Sequence, residues 1–251
     1  MTGAEKVAPL YFDDFVRALE SATTLDASKQ VLQRSIEALG FVSFDYGHGF
    51  LKRPSPISTE DAVFQLHLST FDWAEYYISQ GYQHVDRATL TSLTRATPWL
   101  YWDVIGREPE NDLQRRMEND VLERVSSGLA IPVHGVGLRF GQMHLGSQLP
   151  RTEFERLDRE IRPIAALIAA YFHEHVRKLL GRENGAPDLS ERERECLLWA
   201  SRGKTAWEIA AILSISERTA RAHIGAALRK LDVRTRTQAV ARAIATGLIS
   251  P

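Results

Sequence analysis

Residues 189–250 read LSERERECLLWASRGKTAWEIAAILSISERTARAHIGAALRKLDVRTRTQAVARAIATGLIS, and this stretch decides the architecture of the C-terminal part of the chain. Within it TAWEIAAILS, ISERT and ARAHIGAALRKL spell a short helix, a tight break and a second helix that opens on Ser216. A serine at that point accepts from an exposed N–H of the first turn, and Glu217 adds negative charge at the positive end of the helix dipole. Ala220, Ile224, Ala227, Leu228 and Leu231 recur at helical spacing and are expected to be buried, leaving Arg218, Arg221, Arg229 and Lys230 off that face. Ile209, Ile212 and Leu213 of the first helix are expected in the same core. A leading helix, Ser190–Ser201, turns Cys196, Leu197 and Ala200 inward, and an exit helix near Thr235–Thr246 offers Ala239, Val240, Ala243 and Ile244. The unit reads as four helices. Its two central ones have the layout of a helix-turn-helix, whose second helix enters the major groove of duplex DNA while the first crosses the phosphate backbone.

Charge agrees with that layout. The whole chain of 251 residues is balanced, with 31 basic and 32 acidic residues. From Pro187 onward there are eleven Lys or Arg against seven Asp or Glu, and from Leu198 onward nine against three, so the positive charge sits on the helix-turn-helix. A surface that meets phosphates needs this. The length suggests one large or two ordinary domains. Cys196 is the single cysteine, on the apolar face of a predicted helix, which points to a reducing compartment. No basic start followed by an apolar run opens the chain, and no apolar run reaches the roughly 18 residues of a membrane span, so a cytoplasmic protein without a membrane partner is expected. The eight histidines show no metal-ligand spacing; His173 and His175, two apart, do not face one another on a helix. His48 and His134 are read as turn residues beside glycines.

The N-terminal two thirds are mixed, so the chain is classed as α+β. Helices are predicted at Tyr11–Ser21 and Ala27–Leu39, the second stopped by Gly40, and strands at Phe41–Tyr46 and Val63–Ser69, with a Pro- and Ser-rich loop between them. A helical run ends near Arg95 and another spans Glu110–Val125. Two strands, in SSGLAIPVHG and VGLRFGQMHLGS, flank a Gly-rich turn. A long helix follows from Thr152, with Thr152 and Glu155 as its capping box and Pro163 expected to kink or divide it. Trp73 and Tyr77, four apart, share a helix face, and Asp86 follows a Gly-Tyr turn signal just before RATLTSL, where it also suits an N-cap. Pro98 introduces Trp99, Tyr101 and Trp102. A carboxylate among so many aromatics needs a donor, and a ligand can provide it.

The C-terminal stretch resembles the DNA-binding domain of LuxR-type transcriptional regulators, through Leu189, Ser190, Arg192, Glu193, Leu197, Gly203, Lys204, Glu208, Ile209, Ala210, Leu213, Ile215, Ser216, Thr219, His223, Lys230, Leu231 and Ala239. Contact with double-stranded DNA is expected from Ser216, Arg218, Thr219, Arg221, Ala222, Gly225 and Arg229 on or at the start of the second helix. Lys204 and Thr205 are expected to meet a phosphate at the start of the first helix, with Arg234 and Arg236 reaching the backbone. Ala222 and Gly225 stand where family members often carry larger or polar residues.

The N-terminal part resembles the family's autoinducer-binding domain, through Trp73, Tyr77, the GYxxVD run ending at Asp86, Trp102 before Asp103, and Gly128. The resemblance implies an α/β/α sandwich that binds an N-acyl-homoserine lactone: Trp73 donates to the lactone carbonyl, Asp86 accepts the ligand amide N–H, and Tyr77 lines or bonds the acyl part. Trp102, Ala130 and His144 join the expected site. Departures are Arg87 for the usual proline, a one-residue shift at Trp102, Ala130 for a frequent threonine, and His144 where a small hydroxyl residue is usual. His144 and the added aromatics point to a short, branched or aryl acyl group. The organisation expected is a ligand-binding domain at 1–180, a linker at 181–188 and the four-helix DNA-binding domain at 189–251. The function expected is a quorum-sensing activator that binds a dyad-symmetric site as a homodimer, with Ala243, Ile244 and Leu248 at the dimer contact and RNA polymerase as a further partner. It uses no cofactor, metal or catalytic residue. Two alternatives stay open: a regulator of the same fold whose site is orphan, takes another ligand or is lost, and an N-terminal enzyme acting on a lactone or amide. The enzyme would need an activated nucleophile or a metal, and no GxSxG, HExxH or Cys/His pairing is present.

Overall fold

The computed structural model describes residues 12–51, 62–70, 73–105, 107–135, 139–183 and 189–250. The Pro- and Ser-rich loop and residues 184–188 of the expected linker lie outside them. The chain divides into two compact units, one of residues 1–134 with 140–180, the other of 135–139 with 181–251.

In the first unit α1 (Phe12–Ser21) and α2 (Leu25–Glu37) precede a five-stranded sheet: β1 (Ser43–Leu51), β2 (Ala62–Ser69), β3 (Trp99–Leu100), β4 (Ser127–Pro132) and β5 (Arg139–Ser147), in the order β2-β1-β5-β4-β3. The β1/β2, β3/β4 and β4/β5 pairs are antiparallel. One sheet face meets α1, α2 and α6 (Arg151–Glu183) in a core that includes Leu19, Ile36, Phe44, Tyr46, Met143, Leu145, Phe154, Ile168 and Phe172. Each such side chain, fully buried, contributes roughly 1.5–3 kcal/mol. The other face carries α3 (Trp73–Ser79), α4 (Arg87–Thr94) and α5 (Asp112–Leu122), with a second cluster around Trp99, Tyr101 and Val125. Helices on both sides of a sheet make the expected α/β/α sandwich.

Several local expectations are corrected. Pro163 does not divide α6: the helix runs unbroken for 33 residues. The buried stripe of Ile161, Ala165, Ile168, Ala169, Phe172 and Val176 holds it to the sheet, while Pro163 faces solvent. The carbonyl that proline leaves without an N–H can therefore meet water. Thr152 is not the cap, because the helix has begun at Arg151 and the Pro150 carbonyl already accepts from Glu153 and Phe154. His48 is buried inside β1 instead of in a turn, beside a register shift between His48 and Gly49. Gly47 is needed there, since an added Cβ would lie 2.5 Å from the Phe64 ring.

The second unit is built from α7 (Glu191–Ser201), α8 (Ala206–Leu213), α9 (Glu217–Lys230) and α10 (Arg236–Ala245). Ser190, Thr205, Ser216 and Thr235 cap them in turn, three with reciprocal boxes to Glu193, Glu208 and Gln238. The break between α8 and α9 is made by Ser214, left-handed at φ 53°. Ile209, Ala210 and Ala220 form one cluster with Cys196 and Ile224, and Leu197, Ala227, Leu231, Ala239 and Ala243 form another. Ile212 departs from expectation and is exposed, because the inward side of α8 centres on Ile209, Ala210 and Leu213. Ala243 is fully buried, while Ile244 and Leu248 pack only partly on the same cluster. Among the described residues no helix is long and apolar enough to cross a membrane.

Candidate functional site

Between the sheet and α3, α4 and α5 lies a cavity of about 540 Å³, within the range of roughly 300–1,000 Å³ common to small-molecule sites. Trp73, Tyr77, Asp86 and His144 all line it. Asp86 is organised by the start of α4: its Oδ1 accepts from the N–H groups of Ala88 (2.8 Å) and Thr89 (3.0 Å), and its Oδ2 accepts from the Tyr77 hydroxyl at 2.9 Å. The capping role and the cavity role are thus held by different oxygens. Oδ2 keeps one lone pair for a further donor. Burial, reinforced by the Asp86 charge, holds the Tyr77 phenol well above its usual range, so it stays a donor. Arg87, the first residue of α4, pairs with Glu118 at 2.5 Å and reaches the carbonyls of Arg107 and Glu108.

Trp73 sits on α3 with its ring 6.1 Å from Tyr77 and 6.2 Å from Tyr82. The Arg124 guanidinium lies over it at 4.8 Å, a cation–π contact. Tyr76 and Tyr82 both donate to Asp120, at 2.7 and 2.5 Å, which fixes the back of this aromatic group. No residue of α3 is itself buried. His144 meets the ring edges of Trp99 and Tyr101 at 6.1 and 5.9 Å, and its Nε2 lies 3.2 Å from Ser92 Oγ. Burial lowers its pKa against the pull of Asp45 and Asp86, leaving a neutral imidazole at neutral pH.

Two expected members lie elsewhere. Trp102 packs edge-on to Phe154 at 5.9 Å, under the Arg151 guanidinium, in the α6-side core. The tight 3-10 turn Tyr101–Asp103 sends consecutive side chains to different sides, and it is Tyr101 that lines the cavity. Gly128 makes that possible, since an added Cβ would fall 2.4 Å from the Tyr101 ring. Ala130 is fully buried in the cluster around Trp99, opposite His144 in the β4/β5 ladder, and does not line the cavity.

The lining also holds polar residues that sequence reasoning missed. Asp45 of β1 and His67 of β2 form an ion pair at 2.5 Å. Burial pulls the His67 pKa down, but the charge and hydrogen bond of Asp45 and the charge of Asp86 outweigh it, and the net shift is upward. Gln142 of β5 donates to Thr89 Oγ1 at 3.0 Å, while its Oε1 is buried with no partner among the described residues. Alternation marks β1 and β2 as strands; only the register that sets Asp45 opposite Ser69 and Gly47 opposite His67 brings the ion pair together.

In the second unit, Ser216 accepts from Thr219 N–H at 3.0 Å, and the two hydroxyls lie 2.7 Å apart. Arg218, Arg221, Ala222 and Arg229 are exposed and Gly225 half-exposed, at spacings of three and four that form one stripe along α9. Arg221 also reaches Glu217 at 2.6 Å. At α8 the Glu208 carboxylate already takes the Thr205 N–H (2.8 Å) and hydroxyl (2.9 Å) and pairs with Lys204 at 3.1 Å. Those bonds, led by the Thr205 N–H, hold Glu208 at about 2. The Thr205 N–H expected for a phosphate is thereby occupied. Arg236 turns back to the Lys204 carbonyl at 2.9 Å, whereas Arg234 is exposed. Trp207, which no motif in the sequence singles out, is 68% exposed on α8.

Residues 24–176 match the autoinducer binding domain, and residues 187–243 match the bacterial regulatory proteins of the luxR family. The chain belongs to the LuxR family. Among curated LuxR-family relatives, the transcriptional activator protein BjaR1 of Bradyrhizobium diazoefficiens is 39% identical over 186 residues, 71% of this chain and 73% of that one. The transcriptional activator protein VanR of Vibrio anguillarum is 29% identical over 235 residues, 92% and 95% of the two chains. Escherichia coli SdiA superposes with a TM-score of 0.64 at 18% identity over 96% of this chain and 98% of its own, and SdiA in complex with octanoyl-rac-glycerol with 0.66 at 19% over 100% and 99%. This LuxR-family chain is thus a DNA-binding transcriptional regulator with an autoinducer-binding domain. Trp73, Tyr77 and Asp86 all border one cavity.

Proposed function

We propose that the cavity binds an N-acyl-homoserine lactone and that its occupancy controls how the helix-turn-helix grips DNA. The observation that carries this is the convergence of Trp73, Tyr77 and Asp86 on one cavity, with Asp86 Oδ2 retaining an acceptor position beside the Tyr77 hydroxyl. An indole N–H only donates and a carboxylate only accepts, so together they suit a carbonyl and an amide N–H of opposite polarity. Trp73 takes the lactone carbonyl, Asp86 the amide N–H, and Tyr77 with Tyr101 and His144 borders the acyl group. The ligand completes packing under α3, which buries none of its own residues. At a ligand concentration one hundred times Kd, binding stabilises the folded domain by roughly 2.7 kcal/mol.

The regulator acts in the cytoplasm as a homodimer on a dyad-symmetric site, with RNA polymerase its further partner. The dimer contact falls on the end of the exit helix, where Ile244 and Leu248 are only partly buried, and on α6, where Leu167 and Tyr171, four residues apart, are each 47% exposed. Ser216, Arg218, Thr219, Arg221, Ala222, Gly225 and Arg229 face the major groove, and Lys204, Thr205 and Arg234 the phosphates, with Glu208 giving way at Thr205. Arg236 acts one step back, by holding the Lys204 carbonyl.

Mass spectrometry of small molecules released from the purified full chain, followed by mobility shift with and without the molecule found, tests the reading. Recovery of an acyl-homoserine lactone that alters the shift supports it. Recovery of a different amphiphile, such as an acylglycerol, or lactones that leave both thermal stability and DNA binding unchanged, overturns it.

A further inference from the structure

We propose that Asp45, His67 and Gln142 form a second polar subsite on the sheet wall of the cavity, and that it takes a hydroxyl group carried by the acyl part of the ligand. This rests on the lactone reading above and adds to it the chemical class of the acyl group.

The head-group residues sit on and between α3 and α4, whereas Asp45, His67 and Gln142 come from β1, β2 and β5, with β1 lying between the other two in the sheet. The wall around them is largely apolar, with Phe64, Leu66 and Ile105 among its members. An ion pair in such surroundings costs desolvation that a well-packed apolar pair would avoid. Its side chains remain only 24% and 22% exposed. One carboxylate oxygen of Asp45 is engaged by His67, and among the described residues no hydrogen bond reaches the other. Gln142 is the second, independent sign. The residue lines the cavity and is 3% exposed, one of its two amide N–H groups is spent on Thr89, and its Oε1 is buried without a partner among the described residues. A buried acceptor left in that state costs about 1–3 kcal/mol, which a ligand donor recovers.

The two unpartnered atoms, the second Asp45 oxygen and Gln142 Oε1, are acceptors, so the group they lack is a donor. A keto oxygen would satisfy neither and is disfavoured. An ammonium is disfavoured too, because it would have to compete with His67 for the Asp45 carboxylate. A hydroxyl is neutral and donates, and it can turn its proton toward either Asp45 or Gln142.

Matched lactones test this on the full chain by calorimetric titration: N-butanoyl against N-(3-hydroxybutanoyl), and N-cinnamoyl against N-(4-hydroxycinnamoyl) homoserine lactone. In at least one pair the hydroxylated member should bind about tenfold or more tightly, the return from a hydrogen bond to a charged acceptor. Asp45→Leu and, separately, Gln142→Met should each shrink that gap while keeping the affinity for the unhydroxylated partner within about threefold, which also reports a folded cavity. Equal or weaker binding of the hydroxylated member in both pairs overturns the subsite and leaves the lactone reading intact, as does a gap that survives in both variants. Absence of binding by all four lactones overturns the lactone reading, and the subsite with it.

Discussion

The Tyr77 hydroxyl donates to Asp86 Oδ2 at 2.9 Å and thereby ties α3 to the first turn of α4 across the wall of the cavity. Because the other Asp86 oxygen caps α4, two substitutions separate structure from recognition. Asp86→Ala removes cap and acceptor together and should cost about 1 kcal/mol or more of stability. Asp86→Asn keeps a side chain that caps equally well but turns an N–H₂ toward the position of the ligand amide. Its thermal midpoint without ligand should stay near that of the parent, while the rise on adding lactone should disappear. A parent-sized rise in Asp86→Asn would remove Asp86 from the site.

The second unit carries a pH dependence of definite sign. Glu193 is buried, and burial alone would raise its pKa. The Lys230 ammonium at 2.8 Å and the Ser190 N–H at 2.8 Å outweigh that, and the net shift is downward. A carboxylate held below its unfolded value adds stability above the ordinary carboxylate range and loses it as pH falls through the lowered value. Glu193→Gln should therefore cost about 1–2 kcal/mol at neutral pH, discounted for the half-exposed lysine, and the difference from the parent should shrink toward about pH 4 and below. Chemical denaturation of the full chain across that range measures it; a constant difference would contradict the assignment.

What is legible in the chain is mostly what is local. The reciprocal caps Ser190/Glu193, Thr205/Glu208 and Thr235/Gln238 close within three residues, so helix starts in the second unit can be read to within a residue. The Trp73, Tyr77 and Asp86 spacing is likewise confined to one helix and the turn after it. Trp102 is misplaced by sequence because a single 3-10 turn decides which of two neighbouring aromatics meets the cavity, and neither periodicity covers such a turn. Asp45, His67 and Gln142 are invisible to it because they meet only through strand order and register, which no window of sequence contains. Pro163 misleads in the other direction: the burial of the stripe on either side of it exceeds the one hydrogen bond it removes.

Leu167 and Tyr171 make the proposed dimer testable away from both sites. Tyr171 lies edge-on to Phe12 at 5.1 Å, so its own replacement would also disturb α1, and Leu167 is the cleaner probe. Leu167→Arg should leave ligand binding within about twofold of the parent while shifting the full chain toward monomer and weakening binding to a dyad-symmetric site by tenfold or more, about 1.4 kcal/mol. Analytical ultracentrifugation and mobility shift read the two effects. An unchanged sedimentation profile would move the dimer contact off this part of α6.

Gly225 offers the sharpest separation of folding from DNA reading. It lies within α9, where a glycine costs about 1 kcal/mol relative to alanine. A Cβ built there meets only the tip of Arg229, at 3.7 Å, so Gly225→Ala has room and should stabilise the unit by about 0.5–1 kcal/mol. If the stripe of Arg218, Arg221, Ala222 and Gly225 enters the groove, that same methyl intrudes where the helix approaches the bases. The variant should then be more stable yet bind a selected operator more weakly, with its sequence preference altered. Arg234→Ala, by contrast, should weaken binding to all duplexes and reduce the slope of affinity against salt by about one for each phosphate it no longer neutralises. A Gly225→Ala protein that is stabilised and binds DNA as the parent does would place the groove-facing side of α9 elsewhere on the helix.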